Sequence, residues 1–277
     1  MSSGTVTLCG SLSKFPVGLG RAMHEAGYRA LGLAYVYVPF GIEDVQGALA
    51  GMRALGIRGL GVSMPFKLEI LEHLDVIDER ARQIGAVNTV VNDAGVLTGY
   101  NTDADGAVRA LEEVTPLGGK SIVVVGAGGA ARAVAFGLVA AGAQVTITNR
   151  TAARAQALAQ NIAAQMPAKA QAVRAETLEG ATFAGADIVV QATSAPMADV
   201  AGASPIPDGA FSAAPIVMDI VYKPLRTVVI AAAEAAGAVV VDGSRMLLHQ
   251  ACRQFELYTG QQAPLPAMDS ALRAQVQ

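Results

Sequence analysis

Short apolar runs and longer segments of helical periodicity alternate along the first part of the chain. The runs at 5–10, 34–40 and 58–64 are typical of buried strands, whereas 20–33 and 43–56 repeat apolar positions at helical spacing. Because parallel strands need connections of about helix length, this order predicts a parallel α/β layer. Pro and Gly residues in 113–120 then interrupt the pattern.

The same alternation starts again after this break. A strand running into a Gly-rich turn is predicted at 121–129, with further buried strands at 186–194, 215–222 and 238–243. This order is typical of a doubly wound, Rossmann-like nucleotide domain, which we place at 104–243. The helical segment 244–260 is predicted to fold back onto the first domain. The sequence therefore predicts a two-domain α/β protein.

The composition and charge of the chain argue against nucleic acid and membranes as partners. The chain is 52% hydrophobic and 16% charged, with a net charge of −3 and a pI near 5.6, which favours an ordered globular protein over a nucleic-acid binder. The longest apolar stretch, 228–241, contains Glu234 and is better explained as helix plus strand than as a membrane span. The N-terminus shows no secretory pattern. We expect a cytoplasmic protein with a small-molecule substrate.

Cysteine and histidine do not cluster in the sequence. Cys9 and Cys252 are far apart and are expected to be buried thiols in a reducing compartment. The three histidines, His24, His73 and His249, are equally scattered, and no metal-ligand motif is present. No metal is expected.

A Gly-rich turn between a strand and a helix predicts a dinucleotide site. The segment fits G-x-G-x-x-A, in which the first glycine allows a tight turn and the second lets the backbone approach a pyrophosphate at the helix N-terminus. A tight turn without a ligand is the alternative. The predicted contacts are Gly126, Ala127, Gly128, Gly129 and Ala130.

The end of the next strand indicates which dinucleotide binds. An NAD site would carry an acid there, but this chain has Asn149, Arg150 and Thr151, with Arg154 one helical turn later. Arginines bind a phosphate dianion well, and an acid would repel it. Two solvated arginines at a helix start are the alternative. The stretch favours NADP over NAD.

Three polar residues of the first domain are candidates for the chemistry. Lys67, Asn88 and Asp103 follow apolar runs, and a Lys close to an Asp is a plausible proton-transfer pair for an alcohol that becomes a ketone. A surface lysine after a proline turn and an aspartate capping the helix at 104–112 explain the spacing equally well. From the residues alone, both explanations stay open.

Several motifs in order resemble those of the shikimate dehydrogenase family. GVSMPFK (61–67), GAVNT (85–89), NTD (101–103), GAGGA (126–130) and NRT (149–151) match its V-T-x-P-F-K, G-A-x-N-T, N-T-D, G-A-G-G-A and N-R-T over about residues 20–260. The resemblance implies a substrate-binding, catalytic domain at 1–103, completed by C-terminal helices at 244–277, and an NADP domain at 104–243. It implies Lys67 and Asp103 as the catalytic pair.

The resemblance also implies further contacts. The predicted substrate-binding residues are Ser63, Asn88, Thr102, Tyr222 and Gln250. Beyond the turn and the NRT segment, the predicted cofactor contacts are Thr193, Ile220, Gly243 and Met246. Glu79 falls where the family often has a residue near the cofactor.

The start of the chain departs from the family pattern. Two family serines hold the substrate carboxylate, and an alignment on the following helix places Gly18 and Gly20 at their positions. An alignment on the Ser-Lys pair instead retains Ser13 and replaces the second serine by Phe15. Either alignment predicts weak binding of shikimate and a high KM, unless Ser13, Ser63 or Arg21 reaches the carboxylate.

The sequence thus predicts an NADP-dependent oxidoreductase of the shikimate dehydrogenase type. Its substrate would be shikimate, 3-dehydroshikimate or a related cyclic hydroxy acid, with a quinate or other polyol-acid dehydrogenase as the alternative. A glutamyl-tRNA reductase-like enzyme would need a nucleophilic Cys and a basic RNA face. A non-catalytic NADP-binding module would be expected to lack Lys67 or Asp103. We expect a monomer or homodimer.

Overall fold

The computed structural model describes residues 5–179, 183–193, 204, 206–207, 210–212 and 216–276. The first four residues and residue 277, at the outer bounds of the predicted domains, lie outside these ranges. The chain forms two compact units, one of Met1–Thr102 with Gln250–Gln277 and one of Asp103–His249. Their assignment to substrate and cofactor stays a prediction.

The first unit contains a mixed sheet of strand order β2-β1-β3-β5-β6-β4. Its strands are β1 (Thr7–Ser13), β2 (Tyr35–Gly41), β3 (Gly59–Val62), β4 (Val76–Ile77), β5 (Thr89–Asp93) and β6 (Val96–Tyr100). The helices between them are α1 (Leu19–Ala30), α2 (Val45–Ala54) and α3 (Glu79–Ile84), with a 3-10 turn at Glu69–His73. Leu49, Met52, Leu60, Ile70 and Leu97 are buried in its core.

Strand β5 runs antiparallel to both of its neighbours, which the sequence pattern did not indicate. A two-residue turn joins β5 to β6, and both of its residues, Ala94 and Gly95, have positive φ (53° and 95°). Such turns match the twist of a hairpin. Because β5 runs backwards, its first residue pairs with Gly61 near the end of β3, which brings the start of β5 to the carboxyl edge of the parallel strands.

The second unit contains a parallel sheet of order β12-β11-β10-β7-β8-β9. Its strands are β7 (Ser121–Val125), β8 (Gln144–Asn149), β9 (Val173–Thr177), β10 (Ile188–Gln191), β11 (Ile216–Asp219) and β12 (Val239–Val241). Its helices are α4 (Asp103–Glu112), α5 (Gly129–Ala140), α6 (Ala152–Gln165) and α7 (Val228–Ala235). Helices α8 (Gly243–Thr259) and α9 (Leu265–Val276) follow, and the division between the units falls within α8.

Both faces of the second sheet are covered. On β7, Ile122 and Val124 pack into one apolar cluster, while Val123 and Val125 pack into another. This alternation explains why the strand is a continuous apolar run, as expected for a parallel strand buried on both sides. The predicted α/β class with parallel strands is confirmed. No helix in the described ranges is both long and apolar enough to cross a membrane.

Candidate active site

Backbone hydrogen bonds gather polar residues at the carboxyl edge of the first sheet. Ser63 donates its N–H to the Leu12 carbonyl (3.0 Å), which ties the loop after β3 to the end of β1. Val87 donates its N–H to the Lys67 carbonyl (3.0 Å), so the lysine backbone lies beside the residue that precedes Asn88. The loop that carries Lys67 is therefore anchored next to Asn88.

Asn88 is held in one orientation by its neighbours. It is 2% exposed, and its Oδ1 accepts hydrogen bonds from the Thr102 N–H (2.8 Å) and the Thr89 hydroxyl (2.8 Å). Its Nδ2 donates to Thr102 Oγ1 (3.0 Å). Because a backbone N–H can only donate, the contact with Thr102 identifies Oδ1 as the acceptor end of the amide.

Helix α8 adds two glutamines one turn apart to this edge. Thr102 Oγ1 donates to Gln250 Oε1 (3.4 Å). Gln254 Nε2 donates to the Asn88 carbonyl (3.3 Å) and to Thr89 Oγ1 (3.0 Å). Residues four apart share one face of a helix, so both amides face Asn88 and its neighbours. Gln250 was predicted from the sequence, whereas Gln254 and Thr89 were not.

The two predicted catalytic residues belong to different units. Lys67 is half-buried and lies in the first unit, between β3 and the 3-10 turn. Asp103 is 8% exposed and is the first residue of α4 in the second unit, directly after Thr102 in the chain. Within the first unit the structure brings Lys67, Asn88, Thr102 and Gln250 to one edge of the sheet, and Ser63 lies exposed in the same loop as Lys67.

Glycines occupy the positions where an alignment on the helix places the family serines. Gly18 is the N-cap of α1, and a Cβ added there would meet no atom within 4 Å. A Cβ on Gly20 would lie 3.3 Å from the Tyr37 hydroxyl. Tyr37 therefore takes up space next to the second of these glycines.

The other residues considered for this position differ in exposure and pairing. Arg21 is paired with Glu25 on the same helix (2.9 Å). Phe15 is 79% exposed in the loop after β1. Ser13, the last residue of β1, is buried at 9% exposure.

A neutral histidine lies behind these residues. His24 on α1 is fully buried, stacks on Tyr37 at 4.4 Å between ring centroids, and meets Gln254 Oε1 through Nε2 (3.4 Å). Burial lowers the pKa of His24 to about 4, because a charged imidazolium would lose its hydration there. Burial likewise raises the pKa of the Cys9 thiol to about 12. Neither group is therefore charged at neutral pH.

The Gly-rich turn of the second unit has the geometry of a pyrophosphate site. Gly126 has φ +127°, and a Cβ there would lie 2.8 Å from the Ala192 carbonyl oxygen, so glycine is required. A Cβ on Gly128 or Gly129 would meet no atom within 4 Å, and Gly128 caps α5 without a side-chain hydrogen bond. The first N–H groups of α5, with Ala127 and Ala130 beside them, are thus available to an anion.

Exposed cations follow β8. Asn149 Nδ2 donates to the Thr151 carbonyl (3.0 Å), which closes the turn into α6. Arg150, Thr151 and Arg154 are exposed, and neither arginine has an ion-pair partner among the described residues. The end of β8 is therefore suited to a phosphate rather than to a ribose hydroxyl pair, and these residues fit NADP.

Two buried polar residues that the sequence analysis missed shape the neighbouring loops. Gln191 at the end of β10 exchanges hydrogen bonds with Thr193, accepting from its N–H (2.7 Å) and donating to its carbonyl (3.0 Å). Asp219 at the end of β11 accepts from the Val221 N–H (3.0 Å) and the Thr227 hydroxyl (2.6 Å). Burial raises the pKa of the Asp219 carboxyl. These contacts fix the loops that carry Thr193, Ile220 and Tyr222.

The other residues predicted near the cofactor have roles in the fold that explain their presence without a ligand. A Cβ on Gly243 would overlap the Val221 carbonyl oxygen, so backbone packing alone requires glycine. Met246 is 7% exposed and belongs to the apolar core of the second unit. Glu79 is exposed in the first turn of α3 and accepts a hydrogen bond from Gln83 Nε2 (3.0 Å). Their contacts with a cofactor stay predictions.

Family models match most of the chain. The "Shikimate dehydrogenase substrate binding domain" matches residues 17–90, "Shikimate / quinate 5-dehydrogenase" matches 109–205, and the "Shikimate 5'-dehydrogenase C-terminal domain" matches 243–273.

Individual relatives agree with these models. The NADP(+) shikimate dehydrogenase of Methanothermobacter thermautotrophicus is 42% identical over 93% of this chain and 93% of its own. The Thermus thermophilus shikimate 5-dehydrogenase, solved with NADP(H) and shikimate, superposes with a TM-score of 0.85 at 36% identity, covering 98% of this chain and 99% of its own. The 5-ketofructose reductase of Gluconobacter sp. strain CHM43 gives 0.87 at 35% identity, covering 98% and 99%. The chain therefore belongs to the shikimate dehydrogenase family.

Proposed function

We propose that this protein is an NADP-dependent oxidoreductase that interconverts a ring hydroxyl and a ketone. The substrate class is shikimate and 3-dehydroshikimate or a related cyclic hydroxy acid. The observation that carries this proposal is the carboxyl edge of the first sheet, where Lys67 is anchored beside the oriented amide of Asn88. Family membership supports the same reaction type.

The cofactor is assigned from residues of the second unit. The N–H groups at the start of α5 would hold the pyrophosphate, and Arg150 with Arg154 would bind the 2′-phosphate through charge-assisted contacts. When bound, NADP supplies the hydride acceptor for the alcohol and, when reduced, the donor for the ketone. Thr193, Ile220, Gly243 and Met246 are proposed to contact it.

The proton is assigned to Lys67 and Asp103. As hydride leaves the carbon, the hydroxyl proton must pass to a base, and in the reverse direction an acid must return it to the carbonyl oxygen. We assign this transfer to the pair Lys67 and Asp103. Ser63, Asn88, Thr102, Tyr222 and Gln250 are proposed to bind the other substrate groups.

The substrate group that would face Gly18 and Gly20, the positions of the family serines, is not assigned by the motifs. A carboxylate held by two hydroxyls gains charge-assisted hydrogen bonds worth roughly 1.5–3 kcal/mol each. Gly18 and Gly20 provide no hydroxyl, and Arg21 is already paired with Glu25. We therefore propose measurable but poor use of shikimate. The relationship to a 5-ketofructose reductase makes a polyhydroxy ketone without a carboxylate the second candidate.

Two other functions, a glutamyl-tRNA reductase-like enzyme and a non-catalytic NADP-binding module, have less support than the dehydrogenase. A glutamyl-tRNA reductase-like mechanism needs a thiolate, but Cys9 is fully buried and its pKa is raised to about 12. A non-catalytic NADP-binding module would have no use for Lys67 and Asp103, and both are present. Cys9 and Cys252 are buried thiols that form no disulfide, which supports our proposal of a reducing, cytoplasmic compartment. A monomer or homodimer remains our proposal for the assembly.

Variants of the assigned proton-transfer residues test the proposal. We expect Lys67→Ala and Asp103→Asn to lower kcat about 100-fold or more and to change the KM for substrate far less, because proton transfer matters most in the transition state. NADPH formation, followed by absorbance of the reduced nicotinamide, measures both constants. Glu69→Gln, at an exposed residue of the 3-10 turn just after Lys67, serves as a control that should leave both constants largely intact. Near wild-type turnover in Lys67→Ala or Asp103→Asn would show that the pair is wrongly assigned.

A further inference from the structure

A continuous chain of side-chain hydrogen bonds runs through the first unit. His24 Nε2 meets Gln254 Oε1 (3.4 Å), and Gln254 Nε2 donates to Thr89 Oγ1 (3.0 Å). Thr89 Oγ1 then donates to Asn88 Oδ1 (2.8 Å). The chain continues through Thr102 to Gln250, and its members in order are His24, Gln254, Thr89, Asn88, Thr102 and Gln250.

The first half of the chain has a fixed direction. Gln254 Nε2 also contacts the Asn88 carbonyl oxygen (3.3 Å), which can only accept, so this end of the amide is the NH₂ group. The opposite end, Oε1, is an acceptor, and His24 must therefore donate from Nε2. In the neutral ring the proton is then on Nε2, which agrees with His24 Nδ1 being a buried atom without a hydrogen-bond partner among the described residues.

The second half follows from the contacts of Asn88. Its Oδ1 accepts from the Thr89 hydroxyl (2.8 Å) and from the Thr102 N–H (2.8 Å), and Thr102 Oγ1 also lies 3.2 Å from it. Its Nδ2 donates to Thr102 Oγ1 (3.0 Å), which lies 3.4 Å from Gln250 Oε1. The links from His24 to Thr102 therefore donate in one sense.

We propose that Gln254 and Thr89 are positioning residues that hold the side-chain amide of Asn88 in one orientation towards the substrate. Gln254 Nε2 donates to Thr89 Oγ1 (3.0 Å), and Thr89 in turn donates to Asn88 Oδ1 (2.8 Å), so the amide keeps its oxygen turned to the Thr89 hydroxyl and the Thr102 N–H. This inference rests on the proposed function and names residues that act through Asn88.

Consecutive hydrogen bonds polarise one another, so breaking one link should weaken donors further along the chain. Thr89 offers a matched pair of variants. Thr89→Val keeps the shape and removes the hydroxyl, whereas Thr89→Ser keeps the hydroxyl and removes only a methyl group. Gln254→Met removes the amide that joins His24 to Thr89 and keeps a side chain of similar volume. Steady-state kinetics with NADP, using shikimate, quinate and 5-ketofructose (with NADPH) as probes, measures each variant on the probe that the wild type uses best.

The proposal predicts that Thr89→Val and Gln254→Met lower kcat/KM at least about tenfold, mainly through the KM for the probe, while Thr89→Ser stays within about threefold of the wild type. The KM for NADP should stay within about twofold throughout. Because both substitutions break one chain, the double variant should be no worse than the poorer single variant by more than about threefold. If Thr89→Val does not fold, as judged by its thermal transition, Gln254→Met provides the measurement.

Three results would overturn the proposal while leaving the proposed function intact. These are a smaller than tenfold effect in the removal variants, a loss in Thr89→Ser equal to that in Thr89→Val, and an equal rise in the KM for NADP. The second would mean that packing of the methyl group matters, and the third that the fold is generally loosened. A wild type without NADP-linked turnover of any probe would refute the proposed function and this inference together.

Discussion

At the scale of single residues, charge decides which cofactor the end of β8 favours. Asn149 closes the turn through Thr151 and leaves no carboxylate at the strand end, while Arg150 and Arg154 are exposed. A bidentate arginine gains much from a phosphate dianion and little from a neutral ribose hydroxyl. The preference should therefore depend on the arginines and not on the Gly-rich turn, which serves the pyrophosphate of either cofactor.

Replacing Arg150 by Ala tests this division. A lost charge-assisted contact of roughly 1.5–3 kcal/mol should weaken NADP binding by about 10- to 100-fold, with NAD binding nearly unchanged. Calorimetric titration with each cofactor gives both affinities. Arg174→Ala is a suitable control, since that arginine is also exposed but pairs with Glu176 (3.3 Å). Equal losses for NADP and NAD in Arg150→Ala would refute the phosphate assignment.

Buried His24 should make the stability of the fold depend on pH. Its pKa is about 4 in the folded protein and near 6.5 when unfolded, so the unfolded chain binds more protons between these values. The contribution is fully present above about pH 6.5 and is lost as the pH falls towards 4. Between pH 7 and pH 4.5 this amounts to about 2–3 kcal/mol.

Urea unfolding of the wild type and of His24→Phe at these two pH values measures that contribution. Phenylalanine keeps a ring against Tyr37 but cannot titrate, so the free energy of unfolding of the variant should fall less between pH 7 and pH 4.5. The decrease in the free energy of unfolding between these pH values should be about 2–3 kcal/mol larger in the wild type than in His24→Phe. Identical falls in both proteins would show that His24 does not carry the effect.

At the scale of elements, the start of α1 shows why the two glycine positions differ. Gly18 is the N-cap and faces open space, whereas Gly20 is inside the helix with the Tyr37 hydroxyl 3.3 Å from its would-be Cβ. A serine at position 18 adds a hydroxyl without a clash. A serine at position 20 requires Tyr37 to move.

We therefore expect Gly18→Ser to lower the KM for shikimate several-fold, since a hydroxyl donor to the carboxylate is restored. Gly18→Ala is the matched control, because it adds the Cβ without the hydroxyl. Gly20→Ser should bring less benefit, as it competes with Tyr37 for space. KM values from NADPH formation compare the three variants. An equal gain in Gly18→Ala would assign the effect to the helix and not to the substrate.

The elements also show where sequence reasoning succeeds and where it stops. Apolar runs locate strands such as β7 and β10 because burial on both faces requires them to be apolar. Periodicity carries no strand direction, so it could not predict that β5 runs antiparallel through the Ala94–Gly95 turn. Gln254 and Thr89 were missed because a buried polar residue is recognised by its partners, and those partners are distant in sequence.

At the scale of the whole molecule, two sheets each bring their polar residues to the carboxyl ends of parallel strands. The first unit gathers Lys67, Asn88 and Thr102 there, and the second gathers the Gly-rich turn and Arg150. Ligands of open α/β sheets bind at such edges. The motifs could be found in the sequence because their backbone geometry requires particular residues, as Gly126 shows. The substrate could not, because it depends on side chains that the motifs do not contain.

The most direct test of this account is the initial rate of the wild-type protein with shikimate, measured by absorbance of the reduced nicotinamide with NADP and, separately, with NAD. We predict turnover with a KM for shikimate in the millimolar range and a kcat/KM at least about tenfold higher with NADP, as expected from one charge-assisted phosphate contact. Quinate and 5-ketofructose, the latter with the reduced cofactors, belong to the same measurement. Absence of turnover with all three, or a preference for NAD, would contradict the account.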